Sequence, residues 1–467
     1  MSTPSPAARR LSRATHDVRP AGPVRIVHLG LGNFFRAHQA WYTDRAPDAE
    51  EWGIAAFTGR RPNAAEVLGP QDGLYTLITR GPDGDRFDVP ATLSAVHPGA
   101  DHAAWLDRWR QPELAVVTLT VTEAGYFRGT DGGLDIDRGE VRADLATLRK
   151  HPAAPVRTAV GKLVAGLEAR LDAGLDPVAL VPCDNLPGNG GVLERVVREM
   201  AERTGRPRAV EAVMTGASFV TTMVDRITPA TTGEHRAAVL ARTGLVDASP
   251  VVTEPFTEWV ISGDFPAGRP LWEVPGATFT DDVTPYEERK LWLLNGAHSL
   301  LAYAAPLRGH ETVAGAVADP VCRAWLEEWW DVACRHLTFP HEELMSYRAA
   351  LLERFGNTRI RHALAQIAAD GSQKLPVRIL PALRHERKRG ELPLGATRVL
   401  AAWVCHLRGL STPVKDAAGL PRTDGMLPDV ARAVLASLDP GLTADTVVVQ
   451  AVLAQVAELA GEAPAAF

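Results

Sequence analysis

The run VRIVHLGLGNFFRAH, from Val24 to His38, constrains the fold more than any other stretch of the chain. Its mostly apolar opening reads as a strand, Gly30 and Gly32 as a turn, and the residues from Asn33 on as a helix; WGIAAF from Trp52 supplies a second apolar strand. That is a βαβ unit. Further runs rich in Val, Leu and Thr occur at LYTLIT from Leu74, ELAVVTLTVT from Glu113 and PVALVPC from Pro177, with helical patterns such as DHAAWLDRWR between several of them. Near-continuous apolar strands separated by helices imply an α/β domain with a mostly parallel sheet covered on both faces.

After about Pro285 the β-branched runs give way to Leu, Ala, Trp and Arg patterns such as VCRAWLEEWWDVACRHL, which read as helices. The division expected is a flexible tail over 1–21, a Rossmann-type dinucleotide-binding domain over 22–284, a mostly α-helical domain over 285–460 and a short tail over 461–467. Asp281 to Thr284 should supply the capping chemistry of the helix that opens the second domain.

Composition narrows the partners. Lys plus Arg at 50 against Asp plus Glu at 56 gives a net charge of -6, with the arginines scattered, which disfavours nucleic acid. Hydrophobic residues make up 46% with no apolar stretch of about 18 residues, so a membrane span is not expected. Cys183, Cys322, Cys334 and Cys405 are too sparse for a disulfide framework and lack metal-ligand spacing; they read as thiols of a reducing cytoplasm, with no metal site. Oligomeric state is not legible.

In the strand-to-helix context of Gly30, Leu31 and Gly32, the first glycine allows a tight turn, the second lets a pyrophosphate approach the backbone, and the helix start offers free N–H groups. Asn33 and Phe34 continue this candidate cofactor loop, and Phe35 stands where the usual third glycine would be, which should hold the helix farther from the sheet. The second strand ends AAFTGRRPN without a carboxylate for a ribose hydroxyl. Arg60 and Arg61 there are either solvated or tolerant of a 2′-phosphate, so NAD is expected with some use of NADP.

The segment YEERKLWLLNGAHSLLAYAAP carries the strongest chemical signal. On an α-helix at about 100° per residue, Glu287, Lys290, Asn295 and His298 fall within an arc of about 140°. A lysine desolvated by apolar neighbours suits a general base for an alcohol, Asn295 can donate to the oxygen that becomes a carbonyl, and His298 can fix that oxygen. Each also has a plain structural reading, as a snorkelling lysine, a backbone-bonded amide and a satisfied core histidine. A second cluster, PCDNLPGNGG from Pro182, sits after a strand, where Asn185 or Asn189 can complete an amide pair or simply build a turn. Asp225 and Arg226 of MVDRITP read equally well as a buried ion pair.

Taken together, GLGNFFRAH, QDGLYTL, TEAGY, CDNLPGNG, MVDRITP, KLWLLNGAH and DGSQKLP resemble the polyol-specific long-chain dehydrogenases, the mannitol dehydrogenase family, over most of the chain. The resemblance implies metal-independent hydride transfer between a secondary alcohol and a nicotinamide, in a cleft between a Rossmann domain and a helical one. It casts Lys290 as general base, Asn295 with Asn185 as the oxyanion pair, His298 as a substrate-orienting partner, and Glu287 and Asp225 as groups near the lysine. Substrates in such a family are polyols or sugar acids and their keto-sugars: mannitol, arabinitol, mannonate, altronate or a mannitol phosphate. QIAADGSQKLPVR looks more like the sugar-acid members, with Gln366 where mannitol-type members tend to carry an Arg, and Lys374 and Arg378 either meet a carboxylate or sit at a solvated helix end. A nucleotide-binding regulator without turnover is the alternative of a different class, disfavoured because a sensor needs no base.

Overall fold

The strands of the first domain alternate their side chains between two buried faces. In a computed structural model, which describes residues 9–461, the central sheet is built from β1 (Val24–Leu29), β2 (Gly53–Phe57), β3 (Leu93–His97), β4 (Val116–Leu119), β5 (Val178–Pro182) and β6 (Ala217–Phe219). All are parallel, in the order β3-β2-β1-β4-β5-β6. Val27, Leu29, Ala55, Phe57, Val117, Leu119, Val178 and Leu180 pack on one face with Trp105, Trp109 and the helix Ala159–Asp172. Ile26, Ile54, Ala56, Val116, Ala179 and Val181 pack on the other with Phe35, Tyr42, Trp259 and Trp272. Burial on both faces is why these strands read as unbroken apolar runs. The strand order reverses between β1 and β4, and ligands of such sheets bind outside the carboxyl ends of the strands at that switch.

Three expectations need correction. LYTLIT is not in the central sheet: its strand, Leu77–Gly81, pairs with Val251–Thr253 and Gly84–Asp88 in a separate three-stranded sheet. The edge strand β3 has no counterpart in the sequence reading, because LSAVH mixes Ser and His into too short an apolar pattern. The expected flexible tail is docked over residues 9–21. Arg9–Arg10 pair with Leu245–Val246, Leu11 is buried against Leu74, Ala91 and Leu245, and the Arg13 guanidinium donates to the carbonyls of Arg19, Ala91 and Leu93. One buried leucine among arginines anchors this segment, and so small an apolar signal leaves no periodicity to read. Residues 1–8 and 462–467, the remainder of both expected tails, lie outside the described residues; Gly461 closes the last helix in a left-handed conformation.

By internal contacts the chain divides between Thr284 and Pro285. Among the described residues, the named elements of the second unit are all helices. Its axis is the helix Leu394–Leu407, buried on nearly every side, as a helix apolar all round must be. Helices Ala297–Ala304, Pro320–Cys334 and Thr446–Ala460 surround it. A Cβ on Gly395 would lie 2.5 Å from the Glu328 carbonyl oxygen, so glycine sets the close crossing with Pro320–Cys334. No described helix is long and apolar enough to cross a membrane.

Candidate active site

The glycine turn at the end of β1 is held from both sides. Gly30 has φ +116°, and a Cβ there would meet the Thr120 carbonyl oxygen at 2.5 Å, so only glycine fits. The N–H groups of Gly30 and Leu31 both donate to the Phe57 carbonyl at 2.9 Å. Gly32 is different: a Cβ on it would touch nothing nearer than the Gly30 carbonyl at 3.5 Å. Its bareness therefore serves whatever approaches from outside, which is the role of the second glycine of a dinucleotide turn. Gly32 also stands before the short helix Asn33–Ala37 with no side-chain cap, leaving the first N–H groups to a ligand.

Phe35 does not simply push the helix away. It is fully buried and stacks on His28 of β1, ring centroids 3.5 Å apart and 7° from parallel. His28 Nδ1 lies 2.8 Å from the Thr118 hydroxyl and Nε2 3.1 Å from that of Thr120, which itself donates to the Gly30 carbonyl at 2.9 Å. The chain of bonds assigns the proton to Nε2 of a neutral ring. Burial pushes the His28 pKa down to about 3. Arg36 completes the support, donating to Asn33 Oδ1 at 2.8 Å and to the Gly32 and Ser249 carbonyls. Arg60 and Arg61, beyond the end of β2, are exposed.

The loop after β5 separates the two candidate amides. Asn189 is fully buried and committed: its Nδ2 lies 3.0 Å from the Thr222 carbonyl and 3.3 Å from that of Pro182, and its Oδ1 accepts the Thr222 N–H at 2.9 Å. It ties β5 to the strand Thr221–Asp225. Asn185 is the exposed one. Beside it, the buried Tyr126 hydroxyl donates to the Asp184 carboxylate, which also accepts the Leu186 N–H, so the TEAGY and CDNLPGNG motifs meet at the loop bearing Asn185. Burial raises the Asp184 pKa, and burial together with Asp184 raises that of Tyr126. Asp225 is buried at the end of its strand. Arg226 stacks over Trp41 and donates to the carbonyls of Ala37 and Glu254, so it acts on backbone groups.

In the second unit the helix expected to be α throughout is not. Thr284–Arg289 is α-helical, Lys290–Gly296 is a π-helix, and Ala297–Ala304 resumes the α form. Asp282 accepts the Thr284 N–H at 2.9 Å at the start. In an α-helix Lys290 and Asn295 would stand about 140° apart round the axis; the wider π turn, bonded i to i+5, brings residues five apart one above the other. The arc drawn for Glu287, Lys290, Asn295 and His298 is thereby narrowed. Trp329 and Trp330 hold the segment, their indole N–H groups donating to the Trp292 and Leu293 carbonyls at 2.9 and 2.8 Å. A Cβ on Gly296 would sit 2.8 Å from the Trp329 ring, so this packing needs glycine.

Lys290, Asn295 and Glu287 are half-buried and His298 is buried. Among the described residues the Asn295 amide side chain has no hydrogen-bond partner, and the buried His298 Nε2 has none. Burial, then His362, Arg354 and Arg378, hold the His298 pKa well below the ordinary imidazole value, so the ring is a neutral hydrogen-bonding group. Lys374 and Arg378 part company. The Lys374 ammonium donates to the carbonyls of Ile367 and Ala369, closing a helix end, whereas Arg378 reaches the Asn295 carbonyl and the Ser299 hydroxyl, both at 3.2 Å.

Among the described residues one group of metal-capable side chains occurs, His310, Asp319 and Cys322, with donor atoms within 4.8 Å of one another. Asp319 already receives Arg308 at 2.6 Å and His310 at 2.9 Å and caps Val321, and a guanidinium in that place opposes a cation. We expect dialysis against EDTA to leave any turnover within about twofold, since the candidate base Lys290 would leave no step to a metal. Loss of activity restored by zinc would contradict this.

Comparison with known proteins agrees over most of the length. The mannitol dehydrogenase Rossmann domain matches residues 24–274 and the mannitol dehydrogenase C-terminal domain residues 282–459. A mannitol 2-dehydrogenase of Cereibacter sphaeroides is 38% identical over 410 residues, 86% of this chain and 84% of that protein. The D-mannonate oxidoreductase of Escherichia coli K12 is 36% identical over 400 residues, 83% of this chain and 80% of that one. Among solved structures, Pseudomonas fluorescens mannitol 2-dehydrogenase in ternary complex with NAD and D-mannitol superposes with a TM-score of 0.76 at 32% identity, covering 94% of this chain and 92% of that one.

Proposed function

The chain belongs to the mannitol dehydrogenase family, and from that premise we propose how its residues carry out the reaction. The protein is an NAD-dependent oxidoreductase that interconverts a polyol or sugar acid with its keto-sugar. The carrying observation is the π segment, which stacks Lys290 and Asn295 a turn apart and leaves the Asn295 amide and the His298 Nε2 without partners among the described residues.

Gly30 to Phe35 form the cofactor turn, with the bare Gly32 admitting the pyrophosphate and the uncapped N–H groups bonding it. When bound, the nicotinamide supplies the acceptor for the hydride of the alcohol carbon. Lys290 takes the hydroxyl proton as general base. Asn295, with Asn185, donates to the oxygen as it gains carbonyl character in oxidation or negative charge in reduction. The neutral His298 hydrogen-bonds the substrate and turns the reacting carbon. Glu287 and Asp225 serve as the carboxylates that pass the lysine's proton on. The protein works in the cytoplasm, in keeping with four free cysteines.

The test is one absorbance assay of NADH and NADPH against keto-sugars, and of NAD and NADP against the matching alcohols. Absence of turnover with every pair would remove the enzymatic reading and leave a nucleotide-binding regulator. The same assay addresses the ribose end of the cofactor. NAD is the working cofactor, and the exposed Arg60 gives NADP use a foothold. Arg60→Glu is expected to depress kcat/KM for NADP by about 10- to 100-fold more than for NAD, as loss of a charged hydrogen bond does. Equal effects on both would place Arg60 in solvent.

A further inference from the structure

Arg378 ends the helix Gly371–Arg378 and is half-buried beside the π segment. Its Nη1 donates to the Asn295 carbonyl and the Ser299 hydroxyl, and these are its hydrogen bonds among the described residues. It forms no ion pair among them. The carboxylates of the neighbourhood are committed elsewhere: Asp416 accepts the Ser372 N–H and hydroxyl and the Ala418 N–H, and Asp370 accepts the Ala417 N–H. Burial and Arg378 lower the pKa of Lys374, and it is this lysine, closing a helix end, that Asp370 and Asp416 chiefly compensate. Arg378 instead feels chiefly its own burial, which pushes its pKa down to about 10.

A guanidinium withdrawn from water without a counter-charge is costly, and a ligand that supplies the charge recovers that cost on binding. Nε and Nη2 keep their donors for such a ligand. They present two parallel N–H groups to a planar acceptor, the geometry in which arginine takes a carboxylate. The surroundings lean the same way. His298, whose Nε2 is without a partner, stands against His362 at 4.9 Å between ring centroids, and Arg354 adds a second positive charge. A neutral hydroxymethyl end could accept one hydrogen bond from Arg378 and would leave its charge unanswered.

We infer that Arg378 is a specificity-determining residue that binds the terminal carboxylate of the substrate, so that this enzyme prefers a sugar acid and its keto acid to a neutral polyol and its ketose. The inference rests on the assignment of Lys290, Asn295 and His298 made above, because it places the carboxylate next to the groups that hold the reacting alcohol.

D-mannonate and D-mannitol make a matched pair, with the same secondary alcohols and different ends. The full-length enzyme with NAD is expected to show kcat/KM at least about 100-fold higher for D-mannonate. Arg378→Met should lower kcat/KM for D-mannonate, mostly through KM, by about 30-fold or more beyond whatever it costs D-mannitol. Arg378→Lys, which keeps the charge and loses the fork, should recover part of the D-mannonate rate, and thermal melts of both variants separate a lost contact from a lost fold. A wild-type preference for D-mannitol overturns the inference while leaving the family reaction intact. Equal losses on both substrates in Arg378→Met overturn it too, and assign Arg378 to holding the Asn295 backbone. No turnover of either substrate, or of any other polyol or sugar acid, overturns the reaction itself and the inference with it.

Discussion

Replacing Lys290 with alanine is expected to lower kcat for alcohol oxidation by about 10³-fold while the KM for NAD changes less than about threefold. Lys290 opens the π segment, one hydrogen-bonded turn from Asn295 and half-buried beside Trp292 and Leu293. With Lys290 as the proposed base, its loss leaves the hydroxyl proton without an acceptor in the transition state, whereas the cofactor turn at Gly30 to Phe35 belongs to the other domain. Lys290→Arg should do no better, since a guanidinium does not release its proton near neutral pH. Added primary amines should restore part of the alanine variant's rate, which a merely structural lysine would not allow. Near-normal kcat in Lys290→Ala would take the lysine out of the reaction.

The second large effect concerns acid. His28, His102 and His406 are buried, with pKa values pushed down by burial to about 3, about 4 and about 4, and in His102 also by Lys162. Their folded values lie below the unfolded value of 6.5, so stability is whole above pH 6.5 and falls as pH drops toward 4, where only the unfolded chain takes up the protons. Each such group contributes about 1.4 kcal/mol per pH unit, so three give about 4 kcal/mol per unit once well below their unfolded pKa. His298 adds to the same sense, and Asp184, whose pKa is raised, works against it. Urea unfolding midpoints should drop steeply between pH 6 and 5, and NADH binding should be lost only as the fold itself is lost, since folded His28 stays neutral in that range. A stability that stays flat from pH 7 to 5 would mean that these rings are charged in the folded protein.

Much of this was legible in the sequence because it is local. The strand, glycine turn and helix around Gly30 need only their own residues, and the close fit of Gly30 against Thr120 explains why the position reads as glycine. The identity of Lys290, Asn295 and His298 as polar groups on an apolar helix was also plain. What the sequence withheld depends on distant partners. The π turn is held by indoles 37 residues away, the committed state of Asn189 by Thr222, and the contrast between Lys374 and Arg378 by backbone carbonyls that each happens to meet. Leu11 shows the same limit at small scale, since one buried leucine, a two-residue strand pairing and the Arg13 guanidinium dock a segment whose composition suggests a loose tail.

The π segment also sets two halves of one helix out of phase. Side chains before Lys290 and after Gly296 keep the ordinary α repeat, but the second half is rotated as though one residue had been added between them. A homologue lacking that residue would align with a single gap inside a helix and would present its histidine about 100° away from where His298 stands. Deleting Leu291 in this chain would make the same change by hand, turning a short indel into a reading-frame error of side-chain direction while the backbone stays helical.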